Sequence, residues 1–354
     1  MLEQLIKILD QHKDAFHEQI PRYRHNRYVQ IVTLRETKSH AIFTTEGRTL
    51  DVERLQAGIT TRGQIDRVVM YKRKQIAPER RTGKALLRDL NILVDPDTGK
   101  KKNDKKQKRS ECQIMGASCG RCPDCILYGY AAVKDAGSQR ARVLTDSGFV
   151  VRPIPQVMRD IKLNAIQDTI AGGIAGSAFA NRENVLPQIF IPTAETLLDV
   201  TCTEFLYVLG NILKTTRYGA ESNREGFIRN HILAIYFSDV ELFSNLELTQ
   251  RYYDVIAEAS NETMPDYLSL DQFIDNWPLV EERSLSLVVG RKQKVVELNE
   301  LLSGIRSLYE DKGQLSNMLQ KLDQDVQQYV KDVKPKDKKG EEGNADKDED
   351  EAEE

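Results

Sequence analysis

The chain has 354 residues, 40% of them apolar and 30% charged, with 21 Gly, 11 Pro and 5 Cys. That length suits two domains or one large domain with insertions, and the composition supplies a sizeable core while excluding fibrous, collagen-like and disulfide-scaffold classes. The formal charge of −3 hides an asymmetry: residues 332–354 carry −6, the remainder +3, and within that remainder residues 71–110 carry +9. A basic segment on a near-neutral body points to a polyanion partner, with a solvated loop as the competing reading for Lys100–Lys108 alone. No stretch approaches the roughly 20 consecutive apolar residues that span a bilayer. The opening MLEQLIKILDQHKDAF lacks a signal peptide's apolar core and cleavage site, so the expectation is a soluble, cytoplasmic protein without membrane contact.

In chain order, Leu2, Leu5, Ile6 and Leu9 at helical spacing predict a helix over 2–16. Strands follow at 27–36, 39–47 and 65–74, rich in β-branched and aromatic residues. A helix at 81–90 precedes a polar segment between Leu93 and Cys112 that has no core pattern. Strands at 140–146 and 188–196, a helix at 201–216, a strand at 230–238 and a helix at 244–260 come next. From 281 to 331 the pattern is helical again, with Leu298, Leu301, Leu302, Ile305 and Leu308 on one face. The acidic tail 332–354 has almost no apolar residues and is expected to be disordered. No internal repeat is visible. Strands interleaved with helices, then a helical end, predict an α+β fold with a modest sheet.

Four cysteines, Cys112, Cys119, Cys122 and Cys125, fall in CQIMGASCGRCPDC as C-x6-C-x2-C-x2-C. Closely spaced cysteines on tight turns, here supplied by Gly116, Gly120 and Pro123, let thiolates converge on a tetrahedral metal ion. A structural Zn²⁺ is the preferred reading and an iron–sulfur cluster remains the alternative. Cytosolic disulfides are disfavoured by compartment, and a redox pair would need a thioredoxin-like context. Four thiolates leave no open position for water, so metal-assisted hydrolysis is not expected. Cys202, on an apolar helix face, reads as a small core residue.

Two loops look built for contact. DTIAGGIAGSAFANREN places Gly172, Gly173 and Gly176 before Arg182, without a phosphate-loop or dinucleotide pattern. KTTRYGAESNREGFIRNH sets Arg217, Arg224 and Arg229 around Gly219 and Gly226. Arginine and free backbone N–H groups suit phosphate oxygens, and with the basic segment these loops favour a groove for single-stranded nucleic acid. No catalytic constellation stands out: the five histidines lack metal-site spacing. Glu36, Glu46 and Asp51 are the acids that could assist RNA cleavage, set against their reading as solvated surface.

CPDCILYGYA followed by SQRARVLTDSG resembles the cysteine knuckle, aromatic-Gly turn and S-x-R-x-R-V-x-x-D strand of CRISPR effector-complex backbone subunits, within the repeat-associated mysterious protein superfamily. PERRTGKALLRDL is similar to that superfamily's G-x-x-L-R helix. DTIAGGIAGSAFANRENVLPQIFIP resembles its thumb insertion and following strand, and TTRYGAESNREGFIRNHI its Gly-rich loop. The order of these motifs over residues 25–260 looks most like the backbone subunit of the type I-D surveillance complex, Cascade.

The resemblance implies an α+β fold with an RNA-recognition-motif-like (ferredoxin-like) core, inserted finger, zinc-knuckle and thumb elements, and a helical C-terminal portion. Residues 1–92 would form the first part of the core with finger loops, and 93–139 the basic insertion and knuckle. Residues 140–260 would complete the core, with the thumb at about 165–186. Residues 261–331 would be a helical region and 332–354 the tail. The implied partners are a guide RNA (crRNA), target DNA through the heteroduplex, copies of the same chain in a helical filament, and the large and crRNA-end-capping subunits. Bases would stay free to pair, so the protein would read backbone and not sequence.

Carried over by position, Arg81, Lys84 and Arg88 on the helix would meet the RNA. Arg140 and Arg142, two apart on a strand, would share the RNA face. The backbone of Gly172, Gly173 and Gly176 with Arg182, and Arg217, Arg224 and Arg229, would add the thumb and loop contacts. Lys72 and Arg73 in the basic segment and Arg35 in the first strand complete the RNA-binding set. The chain departs from RNA-recognition domains in lacking their aromatic pair for base stacking, and nothing in the resemblance matches the region after 281 or the tail. A non-catalytic assembly subunit is therefore the leading expectation. The alternatives are a subunit that also cleaves target strands through an acidic loop residue, and a stand-alone zinc-containing RNA-binding protein.

Overall fold

The structure is a computed structural model that describes residues 2–93, 112–114, 118–131, 138–163, 180–261 and 263–333. The elements run α1 (Leu2–Gln11), β1 (Tyr28–Thr37), β2 (Val52–Gln56), β3 (Gln64–Met70), α2 (Lys72–Asp89), α3 (Pro123–Tyr128), β4 (Tyr130–Ala131), β5 (Ser138–Gln139), β6 (Val143–Thr145), β7 (Gly148–Phe149), α4 (Ile154–Val157) and β8 (Met158–Leu163). They continue as β9 (Ala180–Val185), β10 (Phe190–Leu198), α5 (Cys202–Lys214), β11 (Ile228–Ser238), α6 (Asn245–Ala259), α7 (Leu270–Leu285), β12 (Lys292–Lys294), α8 (Leu298–Glu310) and α9 (Lys312–Val333).

The main sheet is antiparallel, ordered β12-β11-β1-β10-β6. Its central strand, YVQIVTLRET, is buried at all ten positions because helices cover both faces. Side chains alternate across a strand, so Val29 and Ile31 join one core with residues of α2 and α5, while Val32 and Leu34 join another with α6 and α7. Each fully buried aliphatic side chain of this kind contributes about 1.5–3 kcal/mol. The C-terminal helices are not a separate layer. The stripe Leu315, Leu319, Leu322, Val326 and Val330 on α9, and Leu301, Leu302, Ile305 and Leu308 on α8, complete the α2/α5 core. Helix starts follow local chemistry: Thr201 with Glu204 caps α5 reciprocally, and Ser269 with Gln272 caps α7.

The mixed α+β expectation holds, and most elements fall where the sequence placed them. Three assignments are corrected. Residues 39–47 form no strand: only Ala41 bridges Val185, and the backbone of Ile42 and His40 is used instead by Ala220 (2.8 Å) and Gly226 (2.7 Å). The strand predicted over 65–74 ends at Met70, and α2 begins at Lys72 because KRKQIA is a run of good helix formers. The strand predicted over 140–146 shortens to Val143–Thr145, leaving Arg140 and Arg142 before it. The strands β2, β8 and β9, the short strand β12 inside the region predicted helical over 281–331, and the first half of α7 were missed, VERLQ and ANRENV carrying too few apolar residues to signal strands.

Candidate nucleic-acid interface and cysteine centre

The first turn of α2 holds Lys72, Arg73 and Lys74 and no acidic residue, at the positive end of the helix dipole. Beside it lies a cavity of about 500 Å³ lined by Thr45, Arg73, Lys74, Arg80, Arg81, Ile114 and Gly219, among others. A second, of about 470 Å³, shares Thr45 and Arg73 and adds Asp51, Tyr71, Lys72 and Ser147. Partial burial, then the Arg73 and Arg81 charges, lower the pKa of Lys74, as expected where positive potential accumulates. Asp51 is the acidic residue in this lining, and it accepts a hydrogen bond from Thr45 Oγ1 at 2.9 Å.

The Gly-rich loop abuts this groove through Gly219. Its shape requires glycine: Gly226 has φ +80°, and a side chain there would overlap the Tyr218 carbonyl. Arg217 and Arg229 lie over the Phe227 ring, 5.5 and 5.8 Å from its centroid, and both are exposed, as is Arg224. Arg182 on β9 is ion-paired with Glu221, which ties the β8–β9 hairpin to the same loop.

The structure therefore brings Lys72, Arg73 and Arg81 to adjoining cavities, one of which the Gly-rich loop reaches through Gly219. Arg140 is exposed ahead of β6, and Arg88 is half-buried and donates to the Cys112 carbonyl at 3.2 Å. Gly172, Gly173, Gly176 and the run Lys100–Lys108 lie outside the described residues. Three predicted RNA contacts are corrected because they are interior. Arg35 is 1% exposed on the face under α2, 3.0 Å from Glu79 and 5.0 Å above the Tyr218 ring. Burial works against its charge, but Glu79, with Tyr218 and Glu195, more than offsets this, so its pKa stands above the ordinary value. Lys84 is 2% exposed against the cysteines. Arg142 is folded onto Glu204 and the Asp199 carbonyl, and it lies outside the strand whose alternation was to have turned it toward RNA. Sequence reasoning did not single out Lys74, Arg80 or Asp124. The signal was present in the basic run and in the acid between two cysteines.

The four cysteine sulfurs lie within 4.8 Å of one another. Cys112 Sγ is 3.6 Å from Cys122 Sγ and 3.4 Å from Cys125 Sγ, and Cys119 is 4.0 Å from Cys125. Thiolates at 2.3 Å around a tetrahedral ion stand about 3.8 Å apart, so the set fits one metal ion. A multi-iron cluster would need its thiolates spread around a cage. Donors converge as on a thiolate centre: Cys119 N–H reaches Cys112 Sγ and Cys125 N–H reaches Cys122 Sγ, each at 3.5 Å, and Lys84 Nζ is 2.8 Å from Cys112 Sγ. Cys122 also caps α3, with Pro123 in its first turn. Cys202 lies apart, its thiol pushed up to about 12 by burial.

Fold, groove and cysteine centre describe an α+β protein with a cationic groove and four cysteines placed so that they could hold one metal ion. A family model described as Csc2 Crispr matches residues 15–319, and the chain belongs to that CRISPR family. The resemblance to a CRISPR family read from the motifs thus stands. The crystal structure of Thermofilum pendens Csc2 is similar at 16% identity and a TM-score of 0.56, over 92% of this chain and 98% of that one. A chain of a CRISPR RNA-guided surveillance complex aligns at 9% identity and TM-score 0.44, over 75% of this chain and 87% of that one. One of a type IV-B CRISPR complex aligns at 14% and 0.37, over 57% and 90%. No curated protein matches. Among the described residues, no helix is long and apolar enough to cross a membrane.

Proposed function

We propose that this chain is a crRNA-binding backbone subunit of a type I-D CRISPR surveillance complex, cytoplasmic and non-catalytic. It polymerises along the guide and leaves the bases free to pair with target DNA. The observation that carries this reading is the pair of adjoining cationic cavities along α2, one of them reached by Gly219 of the Gly-rich loop, in a member of the Csc2 family. Lysine and arginine on a groove without an aromatic stacking pair suit phosphates and not base identity. The order β1–α2–β6–β10–α5–β11, standing in the sheet as β11-β1-β10-β6, supports the RNA-recognition-motif-like core. The four-thiolate set supports a structural Zn²⁺ held by Cys112, Cys119, Cys122 and Cys125. It would pin an inserted segment too small to own a core. The large and end-capping subunits are the further partners of this reading.

The test is binding of unstructured single-stranded RNAs of increasing length across a salt series. Log affinity should fall with log salt by about 0.7 for each phosphate neutralised. Lys72→Ala with Arg73→Ala should weaken binding to every sequence alike and shallow that slope by about 1.4. Protein copies per RNA should grow with RNA length. A salt-independent, one-to-one complex would overturn the reading.

Asp51, in the groove beside Lys72 and Arg73, favours the second reading, cleavage of a bound strand. Glu36 is no candidate for it, being 2% exposed and paired with Lys38 and His231. Target-strand cleavage by the assembled complex that is lost in Asp51→Asn would establish the enzyme. Cleavage unchanged in that variant would remove Asp51 as its source.

A further inference from the structure

Arg80 and Lys84 stand one turn apart on α2 and both reach the carboxylate of Asp124. Arg80 does so through two hydrogen bonds of 3.0 and 2.7 Å, and Lys84 at 3.1 Å. Asp124 is fully buried and lies between Cys122 and Cys125 in the first turn of α3. The same Lys84 ammonium contacts Cys112 Sγ, so α2 grips the cysteine centre from both ends of the motif. Arg80 in turn lines the cationic groove, its guanidinium 5.5 Å above the Tyr128 ring, and Ile114, two residues from Cys112, lines the same groove. One buried carboxylate therefore belongs at once to the metal-binding turn and to the wall that would face RNA.

We propose that Asp124 is a positioning residue that couples the cysteine centre to the groove, so that a bound metal ion and bound single-stranded RNA each strengthen the other. The inference rests on the RNA-binding reading above. A metal ion draws four sulfurs to one point and thereby fixes the α3 turn, the Asp124 carboxylate and the direction of the Arg80 fork. Without the ion the turn loses its common anchor. Arg80, its side chain only 13% exposed, then follows its carboxylate out of line with the groove. A planar guanidinium held by two bonds transmits such a displacement, whereas a lysine ammonium would pivot on a single contact. Coupling between binding sites is reciprocal, so RNA must tighten the metal by the same factor that the metal tightens RNA.

The test uses the full chain loaded with one zinc. Zinc affinity is measured by competition with a chromophoric chelator, with and without saturating unstructured RNA, and RNA affinity by fluorescence anisotropy at full and at depleted zinc. In the native chain both affinities should shift by one common factor of about 5-fold or more. Asp124→Asn leaves Arg80 and Lys84 without their buried carboxylate and should melt at a lower temperature, but it should still bind one zinc, while both shifts fall below about 2-fold. Arg80→Lys, which keeps the charge and loses the fork, should behave alike, and it carries the test should Asp124→Asn fail to load zinc. A purely structural metal would leave the zinc-loaded variants with the native coupling, and that result would overturn the proposal. So would a native zinc affinity indifferent to RNA. A zinc-loaded native chain that binds no RNA would overturn the RNA-binding reading itself, an outcome visible directly in the anisotropy.

Discussion

Glu195 on β10 is 2% exposed and faces α2, 3.8 Å from Arg35. Burial, and then the neighbouring Glu79 carboxylate, raise its pKa well above the usual carboxylate range, and Arg35 only partly counters them. An acid that holds its proton more tightly when folded contributes stability that is full below the unfolded pKa of about 4.3 and is lost as pH rises through the folded value. The native chain should therefore lose up to about 1.4 kcal/mol per pH unit across that window. Glu195→Gln, neutral at every pH, should match the native chain near pH 4 and be the more stable of the two at pH 8. Urea denaturation from pH 4 to 8 checks this, and an unchanged slope would mean that Glu195 is ionised in the folded protein. Arg35 also marks where residue-level reading failed. A charge on a strand reads as a surface group until a distant helix is known to bring it a partner.

At the scale of elements, the turn of the β2–β3 hairpin is held by a carboxylate of α6. Asp254 accepts the backbone N–H groups of Ile59, Thr60 and Thr61 at 2.7, 2.8 and 3.0 Å; burial works to raise its pKa, but the hydrogen bonds from Thr60 and Thr61 together outweigh it and the pKa is lowered. Gly58 passes so close that a Cβ would overlap that carboxylate. Gly58→Ala should therefore cost about 2–3 kcal/mol, the worth of hydrogen bonds to a charged group, and should expose the amides of residues 59–61. Thermal melts with hydrogen exchange at those amides test it, and full protection of the loop in the variant would contradict the account. Elements with strong apolar periodicity, such as β1, β11, α5 and the stripe on α8, were legible in the sequence. Those held mainly by long-range hydrogen bonds, such as β2 with the turn after it and residues 39–47, were not.

For the whole molecule, Cys112, Cys122 and Cys125 belong to the same core as α5, α8 and α9. A metal ion bound at this centre would thus be linked to the stability of the entire α2 face, because an ion that binds the folded chain shifts its unfolding equilibrium. Chelation, or Cys122→Ser with Cys125→Ser, should lower the melting temperature of the full chain cooperatively. A separate early transition confined to the knuckle, with the main melt unmoved, would show the centre to be local.

Read alone, the sequence determined the α+β class, the four-cysteine set, the charge asymmetry and the family resemblance. Each of these depends on residue type and on spacing along the chain. Only the tertiary structure decided which basic residues face a groove and which are interior. It turned Lys84 to the cysteines, Arg142 to Glu204 and Arg35 to Glu79, and it joined Lys74 and Arg80 to Arg81 beside Gly219. The reason is physical. The cost of burying a charge is offset only by a partner at hydrogen-bond distance, and for Arg142 that partner is 62 residues away in sequence and for Arg35 it is Glu79 on another element.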